Sequence, residues 1–380
     1  MPPVATPRAG KPVQIKGRQL RFSYWPMYRT KRRYGLQPQV YATNPWALIR
    51  SGVLAFCPAA SRPEALAYLS QAKFFFDAAG GIDEWAAKPL LLYYSFMNLA
   101  KAYILTRNIR STLDRARHGV SEQLRVGKRE LLDAYLEVYP SPVSGRPNVF
   151  ADFWQAISGH LLTNRIDLDV PYLLPQVVAG HRLWCEANEA TERFVSLNDI
   201  AVMQNPTAKE LWLVLHINAG TLSLHGMSHK QLLDGSLLQT DYREVESLPN
   251  STANEATLRF EQRAPITYGH RPSDKIPALV AKLRDRLWAV ANFTRPFREY
   301  YLYVAPAAER SQVLPQLMSV YAITFYLGSI ARYRPQHFDG VIGSVFGGQL
   351  QEFLSSQPTQ FLYFLASDFA KREIVRAALV

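Results

Sequence analysis

"KPLLLYYSFMNLAKAYILTRN", residues 88–108, is the stretch on which the fold turns. Pro89 stands where a helix can begin, because a proline in the first turn gives up an N–H that has no partner there anyway. The residues after Pro89 are apolar on nearly every face, interrupted by Asn98 and Lys101. A helix that is hydrophobic all round is one enclosed by others. The segment therefore predicts the central helix of a helical core. The other long apolar run, "LMSVYAITFYLGSI" (317–330), falls short of the roughly 20 residues that a membrane span needs. It predicts a second buried core helix.

Working outward, "NPWALIRSGVLAF" opens with Asn44 as an N-cap and Pro45 at the first helical position. "SRPEALAYLSQAKFFFDAAGG" (61–81) has apolar spacings of three and four and stops at Gly80-Gly81. On the other side, "SEQLRVGKRELLDAYLEVY" (121–139) predicts another helix, weakened by Gly127. "YPSPVSGRP" (139–147) is a loop by composition, and "NVFADFWQAISGH" (148–160) a short helix.

Between 165 and 270 the texture changes. "ELWLVLHINAG" (210–220) and "ATLRFEQRAPITY" (256–268) alternate and are rich in strand formers. "ERFVSL" (192–197) and "DYREVESL" (241–248) are weaker strands, and "LPNSTANEA" (248–256) is a turn-rich connector. Helices resume with "SDKIPALVAKLRDRLWAVANF" (273–293) and, after the extended "FREYYLYVAP" (297–306), with "PQLMSVYAITFYLGSIARYR" (315–334). "GQLQEFLSSQ" (348–357) and "TQFLYFLASDFAKREIVRAAL" (359–379) predict two closing helices, and "GVIGSVFGG" (340–348) a tight connection. The order implies an α+β fold, predominantly α-helical with an inserted antiparallel β-sheet around residues 180–270. The expected parts are a basic arm (1–40), a helical domain (41–165), a β-rich insert (166–270) and a helical segment completing the core (271–380).

The charge is unevenly placed. Of the net +12, the first 63 residues carry eleven Lys and Arg and no acid, so the rest of the chain is close to neutral. "GKPVQIKGRQLRFSYWPMYRTKRRYG" (10–35) interleaves bases with aromatics, with a short strand expected at 19–25. Basic side chains neutralise phosphates and release counterions, and aromatic rings stack on unpaired bases. Arg18, Arg21, Arg29, Lys31, Arg32 and Arg33, with Tyr24, Trp25 and Tyr34, are thus the candidate contacts to RNA or DNA; the alternative occupant is an acidic protein partner. Cys57 and Cys185 are the two cysteines and make no disulfide framework. No secretory-type apolar run opens the chain, so a cytoplasmic protein that engages no membrane is expected, and homo- or hetero-oligomers fit.

"SIARYRPQHFDG" (329–340) holds the one catalytic candidate, Arg332 and His337 in an R-x4-H arrangement. Histidine as acid or base and arginine as phosphate clamp suffice for metal-free RNA cleavage. Pro335 lies between them and disfavours helical geometry at Arg334, which implies a helix ending there with its cations near the last carbonyls. His225/His229 and His181/Cys185 stand four apart, as zinc pairs on helices do, but two ligands do not make a zinc site. No phosphate loop or dinucleotide fingerprint is present, so no cofactor and no metal are expected.

"PLLLYYSFMNLAKAYIL…RHGVS" (89–121) and "YLGSIARYRP" (326–335) resemble the YaaC-like family of bacterial proteins. The first segment is also similar to the helical cores called HEPN. That resemblance implies either a metal-independent ribonuclease using Arg332 and His337 with His118 nearby, or a non-catalytic binding and assembly module. A place in a multi-protein defence system is a setting it suggests.

Overall fold

The computed structural model describes residues 4–15, 17–29, 34–36, 39–82, 85–125, 127, 133–246, 257–291 and 298–376. The chain is α+β, and it divides into two compact units, each assembled from separate stretches. A helical unit comprises Thr43–Ala190 and Gln312–Ala370. A sheet unit comprises Met1–Ala42, Thr191–Ser311 and Lys371–Val380.

The longer helices of the helical unit are α1 (Pro45–Phe56), α2 (Arg62–Gly80), α3 (Lys88–Thr106), α4 (Val149–Ser158), α5 (Gln316–Tyr333), α6 (Pro335–Ile342) and α7 (Gly347–Ala370). The all-round apolar sequence of α3 has the expected consequence: it touches α1, α2, α4, α5 and α7. Phe96 stacks on Phe361 of α7 with ring centroids 4.0 Å apart, and Tyr103 meets Phe369 edge-on. Asn44 caps α1 by accepting from the Trp46 N–H at 3.1 Å. Ser61 precedes α2 but does not cap it; its hydroxyl donates to the Ser111 carbonyl at 2.7 Å.

Two expectations are corrected in this unit. Residues 121–139 form no α-helix among the described residues. Strands Val120–Leu124 and Ala134–Val138 pair antiparallel, and Ile166–Asp169 adds a third. Leu136 and Val138 are buried at alternate positions, a period-two pattern that outweighs the helix propensity of the surrounding Glu, Leu and Arg. The two closing helices are one: α7 runs through Pro358. Proline removes one donor from the ladder, but Phe353, Leu354, Phe361 and Leu362 are buried on both sides of it and hold the helix to the core.

The main sheet of the sheet unit contains β1 (Lys11–Pro12), β2 (Asp199–Asn205), β3 (Glu210–Asn218), β4 (Tyr242–Val245), β5 (Thr257–Gln262) and β6 (Ile266–Thr267). The order is β1-β2-β3-β5-β4, antiparallel throughout, with β6 also on β3. Side chains alternate across a sheet, so one face carries the buried Ile200, Val202, Leu213, Leu215, Ile217 and Phe260. The opposite face carries a buried cluster of Ala201, Met203, Trp212 and Val214, followed by charged residues. Residues 273–293 were expected as one helix; the helix stops at Ala281, and Leu287–Val290 is a strand paired with Glu299–Tyr303. Leu287, Trp288 and Ala289 are buried in succession, which suits a strand covered on both sides.

The basic arm is built into this unit. β1 lies on β2, with Lys11 opposite Gln204. A β-carbon on Gly10 would lie 2.3 Å from the Trp212 ring, so only glycine passes there. The strand expected at 19–25 is displaced: Gln14–Ile15 and Arg18–Gln19 form a small hairpin with Gly17 at φ +75°. Val13 and Leu20 are buried beside it.

Candidate functional site

Pro335 ends α5 and begins α6. Arg334 leaves helical geometry at φ −142° and ψ 62°, while its N–H still donates to the Ile330 carbonyl. Arg332 therefore lies in the last turn of α5 and His337 in the first turn of α6. The two residues stand on different helices, and each has its own tyrosine.

Arg332 is exposed and donates from Nη1 to the Tyr94 hydroxyl at 2.8 Å. Tyr94 in turn stacks on Phe75. The Tyr93 hydroxyl, one residue back on α3, shares a hydrogen bond with Nδ1 of His118, on the loop that follows α3. Desolvation of the imidazole, then the charges of Lys101 and Arg332, hold the His118 pKa below its ordinary value. Lys101 lies 4.8 Å over the Tyr68 ring, and burial lowers its own pKa, partly offset by Glu64. Arg332, His118, Lys101, Tyr93 and Tyr94 thus form one cationic and phenolic group. Two cations beside an imidazole kept neutral suit the holding of an oxyanion and the acceptance of a proton.

His337 belongs to a second group. Its Nε2 is 3.2 Å from the hydroxyl of the buried Tyr326. Burial and then the Glu122 charge raise the phenol's pKa, and Arg334 opposes them. Arg334 is 3.0 Å from the Glu122 carboxylate, whose pKa burial raises and Arg334 lowers. So the structure associates Arg332 with His118, and His337 with Tyr326, Glu122 and Arg334. Of these partners, Lys101 was visible as the one cation past the first turn of an apolar helix, seven and eight residues from Tyr94 and Tyr93 on the same helix face. Glu122 was not visible, because the segment that carries it has a helical composition but forms a strand.

In the arm, Arg18 and Arg21 are exposed. The aromatics beside them face inward. The Tyr24 hydroxyl donates to the Leu287 carbonyl at 2.8 Å, and burial raises its pKa. Trp25 is 7% exposed and lies within 5.4 Å of Arg284 and 5.0 Å of Arg298. The buried Trp25 ring presents no free face to a base, and the half-buried Tyr24 ring is packed edge-on with Phe22, Trp25 and Tyr300. Only the backbone of Arg29 and Tyr34 is described, on strands Met27–Arg29 and Tyr34–Leu36; Lys31, Arg32 and Arg33 lie outside the described residues. His181 and Cys185 do share a helix, His181–Ala187, with Sγ 3.4 Å from Nε2. His225 and His229 fall on either side of a helix break, and His229 pairs with Glu244 at 3.0 Å.

The architecture defines an α+β protein of two units, one built on the largely apolar α3 and one on an antiparallel sheet that the N-terminal segment edges. The chain belongs to the YaaC-like protein family, whose sequence model matches residues 56–369 of the 380. No curated protein and no solved structure matches it. No described helix is long and apolar enough to cross a membrane.

Proposed function

We propose that this YaaC-like chain is a non-enzymatic binding component that engages nucleic acid, RNA or DNA, through its basic N-terminal segment. The observation that carries the reading is the acid-free run of eleven positive charges in residues 1–63. Its position supports the reading: Lys11 and Arg18 are exposed on strands fixed to the sheet unit, so their charges are held in place. With Tyr24 and Trp25 turned inward, binding is to the phosphate backbone and tolerant of sequence. An acidic protein surface, including a partner in a defence complex, is the competing occupant. Fluorescence anisotropy with single-stranded RNA and DNA decides. Lys11→Gln/Arg18→Gln/Arg21→Gln is expected to bind about tenfold more weakly than wild type. Equal affinity overturns the reading.

A second reading, metal-independent RNA cleavage on a HEPN-like core, is supported by the grouping of the exposed Arg332 with His118. His118 would take the 2′-hydroxyl proton while Arg332 holds the phosphate. On this reading RNA is cleaved in EDTA, and His118→Ala lowers the rate more than His337→Ala. No cleavage, or equal rates in all three proteins, removes it.

A further inference from the structure

We infer that the charged face of the main sheet, lined by Arg243, Arg259 and His216, is a binding site for a small oxyanion, either a phosphate or a carboxylate. The inference is independent of the nucleic-acid reading. Register places the residues together. Asp199, His216, Arg259 and Val245 form one cross-strand row, and Ala201, Val214, Glu261 and Arg243 form the next on the same face. Glu261 is fully buried and both of its oxygens are already engaged. It accepts from Arg259 Nη2 at 3.2 Å, from Arg243 Nη2 at 3.2 Å and from the Arg8 backbone N–H at 3.0 Å.

Two guanidinium groups thus share one carboxylate. The excess charge is buried: the Arg259 side chain is 6% exposed, and its Nε and Nη1 meet no acceptor. Arg243 Nε is likewise buried without an acceptor, as is Nε1 of Trp212 further along the same face. Every one of these orphaned atoms is a donor, and buried donors are normally satisfied. Asp199, exposed and two strands away from Arg259, does not supply the missing acceptor: Nε and Nη1 of Arg259 have no partner. His216, between them, has its pKa lowered by burial and by Arg259, with Asp199 opposing. The arrangement calls for an acceptor with negative charge, and an arginine fork matches the oxygens of phosphate and carboxylate alike. The way in is beside Arg243, whose side chain is 33% exposed.

The test is calorimetric titration of the full chain with inorganic phosphate, and separately with acetate, in chloride at constant ionic strength. Saturable binding of either anion is expected, and the stronger of the two identifies the source chemistry. Arg259→Lys keeps the charge but loses the fork and should weaken binding about tenfold or more. Arg243→Gln, at a partly exposed position that folding tolerates better, should do the same. No saturable binding of either anion overturns the inference, as does wild-type affinity in the folded variants; the donors then hold water only.

Discussion

Asp152 is fully buried in the first turn of α4 and accepts two hydrogen bonds from Arg110, at 2.8 and 3.0 Å. Removing one partner of such a pair strands a buried charge. Arg110→Ala should therefore destabilise the protein by about 3 kcal/mol, read from urea unfolding, with Arg110→Lys losing less. His118 sets a pH dependence. The folded chain binds its proton more weakly than the unfolded chain, because desolvation, Lys101 and Arg332 all disfavour imidazolium. Its contribution to stability is complete above the ordinary histidine value of about 6.5 and is lost as pH falls through that value toward the folded one. Arg332→Met should raise the His118 pKa, measured by NMR titration. An unchanged pKa would show that the two side chains do not share a site.

At the scale of elements, α1 and α7 cross so closely that a β-carbon on Gly52 would lie 2.4 Å from the Phe369 carbonyl oxygen. Alanine is the better helix former by about 1 kcal/mol, but this contact is with backbone and cannot rotate away. Gly52→Ala should lower stability by about 1–3 kcal/mol in chemical unfolding. A gain in stability would mean that the helices part at little cost. The helices were legible where local signals agreed with burial: Asn44-Pro45, Pro89 and Pro335 mark true boundaries because proline's lost donor and restricted neighbour act locally. Residues 121–139 and the end of 359–379, beyond Ala370, depart from the expected helix where partners far along the chain decide. The first stretch is claimed by the strand Ile166–Asp169, and the end of the second by Val40–Ala42, which pairs with Ile374–Arg376. The same limit applies to the site. Arg332 was visible as chemistry, but Tyr94, 238 residues away in sequence, was not visible as its partner. The sheet-face arginines were missed because nothing local distinguishes Arg243 and Arg259 from solvated strand residues.

At the scale of the whole molecule, charge and structure together determine how the central proposal is tested. The first 40 residues hold most of the excess charge, yet they also contain an edge strand and the buried Val13, Leu20 and Trp25. Deleting them would remove structure along with charge, so loss of binding in a truncated chain would not identify the cause. Substitution of exposed bases separates the two. Each phosphate contact contributes a slope of roughly 0.7–0.9 to the fall of log affinity with log salt. The decisive measurement is this slope for single-stranded RNA and DNA, compared between wild type and Lys11→Gln/Arg18→Gln/Arg21→Gln at matched stability. The basic-segment account predicts a slope smaller by about 2 in the variant. Identical slopes in the two proteins would contradict it.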